Sequence, residues 1–140
     1  AIDYKRENVA KRIGELAPKG VNVVFENVGG EILEASIQNI ALRGRIVLCG
    51  GISSYNATDP NATPGIRNYM TLTGRRARME GFIVMDFYDQ RAEAEAKLAR
   101  WVEEGKIKAI VDIVDGLDKA PQALIGLFEG RNKGKMAVRV

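Results

Sequence analysis

Two stretches of the chain, VVFENVGG at residues 23–30 and RIVLCGGISSYN at residues 45–56, end in the same way. In each, an apolar run of the kind found in a buried strand stops at paired glycines. Polar side chains then reach the rim: Asn27 in the first, and Ser53, Ser54, Tyr55 and Asn56 beyond the second. Glycine lets a ligand approach the backbone closely. Amide and hydroxyl groups beside it suit a ribose, a carboxamide or a phosphate. In either stretch alone the glycines need only permit a turn, and Asn27 need only satisfy its own loop. The same device in two consecutive strands favours a site, because open parallel sheets bind ligands beyond the carboxyl ends of their strands.

Other chemistries lack their residues. The 140 residues contain no histidine, so no imidazole base, His-activated nucleophile or histidine metal ligand is available in this chain. Cys49 is the single cysteine, which rules out an internal disulfide and a multi-thiolate zinc site. Its place at the end of an apolar run predicts a small buried side chain, and a reducing, cytoplasmic setting is compatible with it. The net charge of +3 is mild, and the one basic cluster, Arg75, Arg76 and Arg78, has no interleaved aromatics of the stacking kind. It reads as a solvated loop rather than a nucleic-acid patch. No apolar run approaches the ~20 residues that span a bilayer. The opening residues are polar and charged rather than a signal peptide, and the chain does not begin with Met, which suggests a piece of something longer. Neither G-x-G-x-x-G nor G-x-x-x-x-G-K-[ST] occurs. A dinucleotide ligand would therefore need its pyrophosphate loop upstream of Ala1.

The elements that must position these residues follow from periodicity and punctuation. AIDYK alternates and predicts a short strand. Asn8 is placed to cap a helix carrying Val9, Ile13 and Leu16 on one face, ended by Pro18 and Gly20. Residues 21–28 predict a strand, and EILEASIQNIAL a helix with Ile32, Leu33, Ser36, Ile37, Ile40 and Ala41 on its stripe, stopped by Gly44. RIVLC then completes a βαβ unit whose apolar strands suit a parallel sheet covered on both faces. Residues 53–65 are loop by composition, and their sequons at Asn56 and Asn61 read as chance matches. IRNYMTLTGRR suggests a helix and residues 79–88 a strand. Residues 89–104 predict a helix with Ala94, Leu98, Trp101 and Val102 on one face and Glu93 four before Lys97. KIKAIVDIV predicts a strand. Asp118 is placed to cap a helix through Leu124, Leu127 and Phe128 that stops at Gly130, and GKMAVRV predicts the closing strand.

In this order, IDYK, VVFENVGGEILEA, RIVLCGGISSYN, RARMEGFIV, KAPQALIGLFEGRNKGK and the final VRV resemble the C-terminal part of the zinc-independent medium-chain dehydrogenase/reductases. The branch is that of the NADP-dependent alkenal/one oxidoreductases, which includes the prostaglandin reductases and leukotriene hydroxydehydrogenases. The resemblance implies an α/β fold, with a Rossmann-like parallel sheet forming the later half of an NADP-binding domain over residues 1–105. Residues 106–140 would be the returning segment that completes a barrel-like substrate domain. It implies that Tyr4 lies near the adenosine 2′-phosphate and that Asn27 lines the cofactor cleft. Cys49, Gly50, Gly51, Ile52, Ser53 and Tyr55 would wrap the nicotinamide end. Tyr55 would hydrogen-bond the nicotinamide ribose and assist reduction as the catalytic residue. Phe82, Ile83 and Val84 would lie beside the nicotinamide, Phe82 through its backbone. Asn132 would reach back to the cofactor.

The implied reaction reduces the carbon–carbon double bond of an α,β-unsaturated ketone or aldehyde by hydride transfer from NADPH, with no metal. A tyrosine hydroxyl can donate hydrogen bonds to such a reaction without a shifted pKa. The resemblance also implies a homodimer through the 79–88 region, with no nucleic-acid or membrane partner. A complete member has an N-terminal substrate domain and a glycine-rich loop that this chain lacks, so the isolated chain is expected to be inactive and to self-associate through exposed sheet edge. A quinone reductase of the same superfamily, and a non-catalytic dimerising half-Rossmann module, remain open alternatives.

Overall fold

Asn8 starts the first helix as its position predicts: its side-chain oxygen accepts the Lys11 N–H at 2.9 Å, and α1 runs Val9–Leu16. The structure is a computed structural model that describes residues 1–59 and 65–140; Asn61 lies outside the described residues, and Asn56 is exposed in a turn. The chain divides into two units, Ala1–Met85 and Asp86–Val140.

In the first unit, β1 (Val21–Glu26), α2 (Gly30–Gln38), β2 (Ile40–Leu48), α3 (Met70–Arg75) and β3 (Arg78–Gly81) follow α1. The three strands are parallel in the order β1-β2-β3. Each return crossing carries a helix, as parallel neighbours require. Val24, Ile46 and Met79 are in register across the sheet. On that face, Leu33 and Ile37 of α2 meet Ile40 and Ile46 in the buried core, with Val24, Leu48, Ile66, Leu72, Ala77 and Met79 packed around them. The opposite face is open: Val23 and Phe25 are 65% and 60% exposed. The expected covering of both faces is therefore met on one side only within the described residues.

In the second unit, α4 (Arg91–Glu103), β4 (Val111–Asp115), α5 (Ala120–Glu129) and β5 (Lys135–Arg139) follow one another, and β4 and β5 pair in parallel. Gly130 ends α5 in the left-handed conformation, φ 69°, the geometry that favours glycine after a helix. Ala123 and Gly126 are the buried residues of α5.

Several elements depart from the sequence expectations. AIDYK is a turn: the Asp3 backbone oxygen accepts Arg6 and Glu7 N–H, and the Asp3 N–H donates to Glu7 Oε1 at 2.7 Å. Local bonds satisfy this backbone where no strand partner is present. α2 ends at Gln38, so Ile40 and Ala41 belong to β2. Gly44 is not a helix stop. It sits where the register jumps between the Val21–Ile40 and Val23–Arg45 pairs, a β-bulge that helical periodicity mimics. β3 stops at Gly81, and Val84–Gln90 forms short 3-10 turns kinked at Phe87. β4 is shorter than KIKAIVDIV, opening only at Val111. Asp118 does not cap α5. It lies in the 3-10 turn Leu117–Lys119, and Pro121 in the first turn of the helix supplies the start signal instead. No residue of α4 is buried, and Leu98 and Val102 of its apolar stripe are exposed; Lys97 Nζ lies 5.3 Å from the Trp101 ring centroid.

Candidate functional site

The register of the first sheet decides where the site residues fall. Glu26, Leu48 and Gly81 are matched across β1, β2 and β3. The next residue in each strand, Asn27, Cys49 and Phe82, therefore leaves the sheet at one carboxyl edge.

Backbone hydrogen bonds lace the loops beyond that edge. Cys49 and Gly50 donate to the Glu26 backbone oxygen at 2.8 and 3.2 Å. Ile52 donates to the Asn27 oxygen at 3.0 Å and Ser53 to the Val28 oxygen at 2.9 Å. The Phe82 N–H donates to the Leu48 oxygen at 2.9 Å, and the Phe82 ring meets Phe25 edge-on with centroids 6.0 Å apart. Ile52–Ser54 is a 3-10 turn that carries Tyr55 back over its own loop, where the hydroxyl accepts the Gly51 N–H at 3.4 Å. A Cβ on Gly50 would stand 2.9 Å from that hydroxyl. A side chain at position 50 would therefore push the Tyr55 hydroxyl aside. At Gly29 and Gly30 the preference for glycine is conformational, with φ 78° and 53°.

Of the predicted site residues, Asn27, Cys49, Gly50, Gly51, Ile52, Ser53, Tyr55 and Phe82 converge on this edge. Ile83 and Val84 follow Phe82 beyond β3 and are exposed. Tyr4, although not in a strand, lines one open groove with Gly29, Ser53, Glu31 and Arg67, about 790 Å³ in volume. Cys49 corrects the expectation of a buried thiol: it is exposed, because the last pair of β2 is Leu48 and the next residue has left the sheet. Asn132 belongs to the second unit, where its side-chain amide donates to the Gly134 oxygen at 2.7 Å. Asp112 Oδ2 accepts the N–H groups of Lys133 and Gly134, which hold its carboxyl below the usual range.

The sequence reading missed two acids. Glu26, only 3% exposed, accepts the Val28 and Gly29 N–H groups on Oε1 at 2.6 and 2.7 Å. Its signal was an acid on the core face of a strand, directly before a glycine turn. Glu34 on α2 takes the Arg67 backbone N–H at 2.9 Å and the guanidinium through both oxygens. Arg67 pulls the Glu34 carboxyl down to about 2, first through its side-chain and then its backbone hydrogen bonds. This pair was invisible because its members lie 33 residues apart.

Among the described residues, no group of three or more His, Cys, Asp or Glu side chains is placed to hold a metal ion. No helix among them is long and apolar enough to cross a membrane.

The family described as zinc-binding dehydrogenase matches residues 1–138. The chain is 40% identical over 141 residues to the NADP(+)-dependent 2-alkenal reductase of Nicotiana tabacum, covering 100% of this chain and 40% of that protein. It is 37% identical over 144 residues to the NADPH-dependent curcumin reductase of Escherichia coli K12, covering 99% of this chain and 41% of that protein. The crystal structure of CurA from Vibrio vulnificus in complex with NADPH superposes with a TM-score of 0.85 at 37% identity, over 99% of this chain and 42% of that one. The chain thus spans about two-fifths of the length of these relatives.

Proposed function

The chain belongs to the zinc-binding dehydrogenase family, and on that premise we propose that it is the later part of an NADP-dependent oxidoreductase that reduces the carbon–carbon double bond of α,β-unsaturated ketones or aldehydes. The observation that carries the reading is the convergence of three registered strand ends on two laced glycine loops. Relatives named as alkenal and curcumin reductases support the substrate class.

The donor chemistry fits the nicotinamide end of a dinucleotide. Gly50 and Gly51 bring bare backbone to the rim, and Asn27, Ser53 and Tyr55 add an amide and hydroxyls for a carboxamide and a ribose. Tyr4 opens on the same groove as Ser53 and would serve the adenosine phosphate. Bound NADPH would supply a hydride to the substrate β-carbon, leaving NADP+ and an enolate that takes a proton at its α-carbon. The exposed Tyr55 hydroxyl would hydrogen-bond the cofactor ribose and assist that step. The family description names zinc, but the donors of this chain do not fit it: there is no histidine and one cysteine.

By this reading residues 1–105 complete a nucleotide-binding domain. Residues 106–140 return to the substrate domain and bring Asn132 to the cofactor. The exposed thiol of Cys49 suits a reducing, cytoplasmic setting. The deciding experiment is calorimetric titration of NADPH, with NADH as control, into the 140-residue chain, followed by enone and quinone profiling of the longer parent enzyme. NADPH bound in preference to NADH, and enones reduced in preference to quinones, are the expected results. Binding of neither cofactor would leave the isolated chain a non-catalytic module. Faster turnover of quinones would reassign the substrate class.

A further inference from the structure

A buried acid on an apolar sheet face needs a reason, because its polar atoms lose water and must find partners. Glu26 falls two residues after Val24, on the face that packs against α2, and is 3% exposed. Period-2 alternation calls for an aliphatic residue there. The partners it has found are all loop backbone. Oε1 accepts two consecutive N–H groups, Val28 and Gly29, at the point where β1 has ended and α2 has not begun. Its main-chain oxygen accepts two more, Cys49 and Gly50, from the other loop. Four donors from two loops therefore end on one residue.

We propose that Glu26 is a positioning residue of this site. Its carboxyl fixes the Asn27–Gly30 turn, and its main-chain oxygen fixes the start of the Gly50–Tyr55 loop. Between them they set where Asn27 and the Gly51 N–H are presented to the nicotinamide end of the cofactor. The loops continue the arrangement outward: Asn27 and Val28 oxygens accept Ile52 and Ser53 N–H groups, so a shift in the first turn is passed to the second. The proposal rests on the NADP reading for its ligand but not for its geometry. Without the carboxyl, the Val28 and Gly29 N–H groups have no acceptor in the sheet and must turn toward water, which reopens the glycine turn.

The test uses two variants of the 140-residue chain. Glu26→Gln keeps an oxygen acceptor, whereas Glu26→Leu removes it and suits the apolar face. Amide hydrogen exchange at Val28, Gly29 and Gly50 is followed together with NADPH titration and thermal melting. In Glu26→Leu the Val28 and Gly29 amides are expected to exchange about tenfold faster or more, and NADPH affinity to fall by a similar factor. Val24 and Val47 amides should stay protected, and Glu26→Gln should remain within about threefold of the parent chain in both readouts. Unchanged exchange and affinity in Glu26→Leu would overturn the proposal. So would losses that extend to Val24 and Val47 or that Glu26→Gln fails to rescue, since those report a merely structural role. If the parent chain binds no NADPH, the cofactor reading fails for this chain. The exchange pattern still decides the positioning role: faster exchange confined to the two loops in Glu26→Leu alone sustains it, and no change ends it.

Discussion

Glu34 and Arg67 form a two-pronged ion pair, with Arg67 Nε 3.0 Å from Oε1 and Nη2 2.5 Å from Oε2. The Asn68 side chain adds a bond to the Glu34 backbone oxygen at 2.8 Å. Together they tie the segment that returns from the site loop onto α2.

A pH dependence follows from this pair. Arg67 lowers the Glu34 carboxyl from 4.5 to about 2. In the unfolded chain the same carboxyl protonates first as pH falls, so the contribution is complete above 4.5 and is lost between 4.5 and about 2. The Arg67 side chain is 75% exposed, so screening keeps the effect small. Glu34→Gln should melt slightly lower than the parent chain at neutral pH and show a shallower decline across that acid window. Parallel curves in thermal scans would mean that other carboxyls carry the acid sensitivity.

Gly20 tests the seating of β2. Its φ is +85°, and an added Cβ would stand 2.7 Å from the Ala41 Cα and backbone nitrogen. Those are main-chain atoms of a strand and cannot swing aside as a side chain would. Gly20→Ala should therefore destabilise the first unit by about 2 kcal/mol, from strain and clash together. Denaturant titration gives the value. A change near zero would show that the turn before β1 yields without moving β2.

The βαβ core was legible because its signals are local. Apolar runs, glycine punctuation and the α2 stripe need only neighbours in sequence, and the strand ends carrying Asn27 and Cys49–Tyr55 could be read from them. What failed depended on partners. AIDYK has strand composition but pairs with no strand among the described residues, and past Gly81 the chain folds into 3-10 turns, so local bonds replace ladders. Cys49 was misjudged because one residue past the last Leu48 pair is enough to leave the sheet. Glu26 and Glu34 were missed for opposite reasons. The burial of the first shows only once the core face of its strand is known. The second acts through a residue far along the chain.

Tyr55 is the residue on which the proposed chemistry turns. The residue is 68% exposed, and among the described residues its hydroxyl accepts the Gly51 N–H at a long 3.4 Å. Removing that hydroxyl should change stability by less than about 0.5 kcal/mol. In the longer parent enzyme, Tyr55→Phe should cut kcat by about 10²-fold, the scale of a lost proton-transfer or hydrogen-bonding group, while NADPH affinity changes only about threefold. Steady-state kinetics beside cofactor titration separates the two. An unchanged kcat would remove Tyr55 from the catalytic role and leave it as a loop anchor.

Assembly is expected along the β3 edge of the sheet. β3 pairs with β2 along one edge and is the last strand in the order, and edge strands present unpaired backbone to other chains. Directly after it, Ile83, Val84 and Met85 are 56%, 56% and 62% exposed, an apolar run with no cover among the described residues. A second copy would cover both features at once, so this chain should scatter light as a homodimer. Ile83→Glu places a charge within that surface and should shift the mass toward monomer. The melting point should hold, because Ile83 is not part of the buried core. A dimer that persists in the variant would move the contact elsewhere, with the open face around Val23 and Phe25 the next surface to mutate.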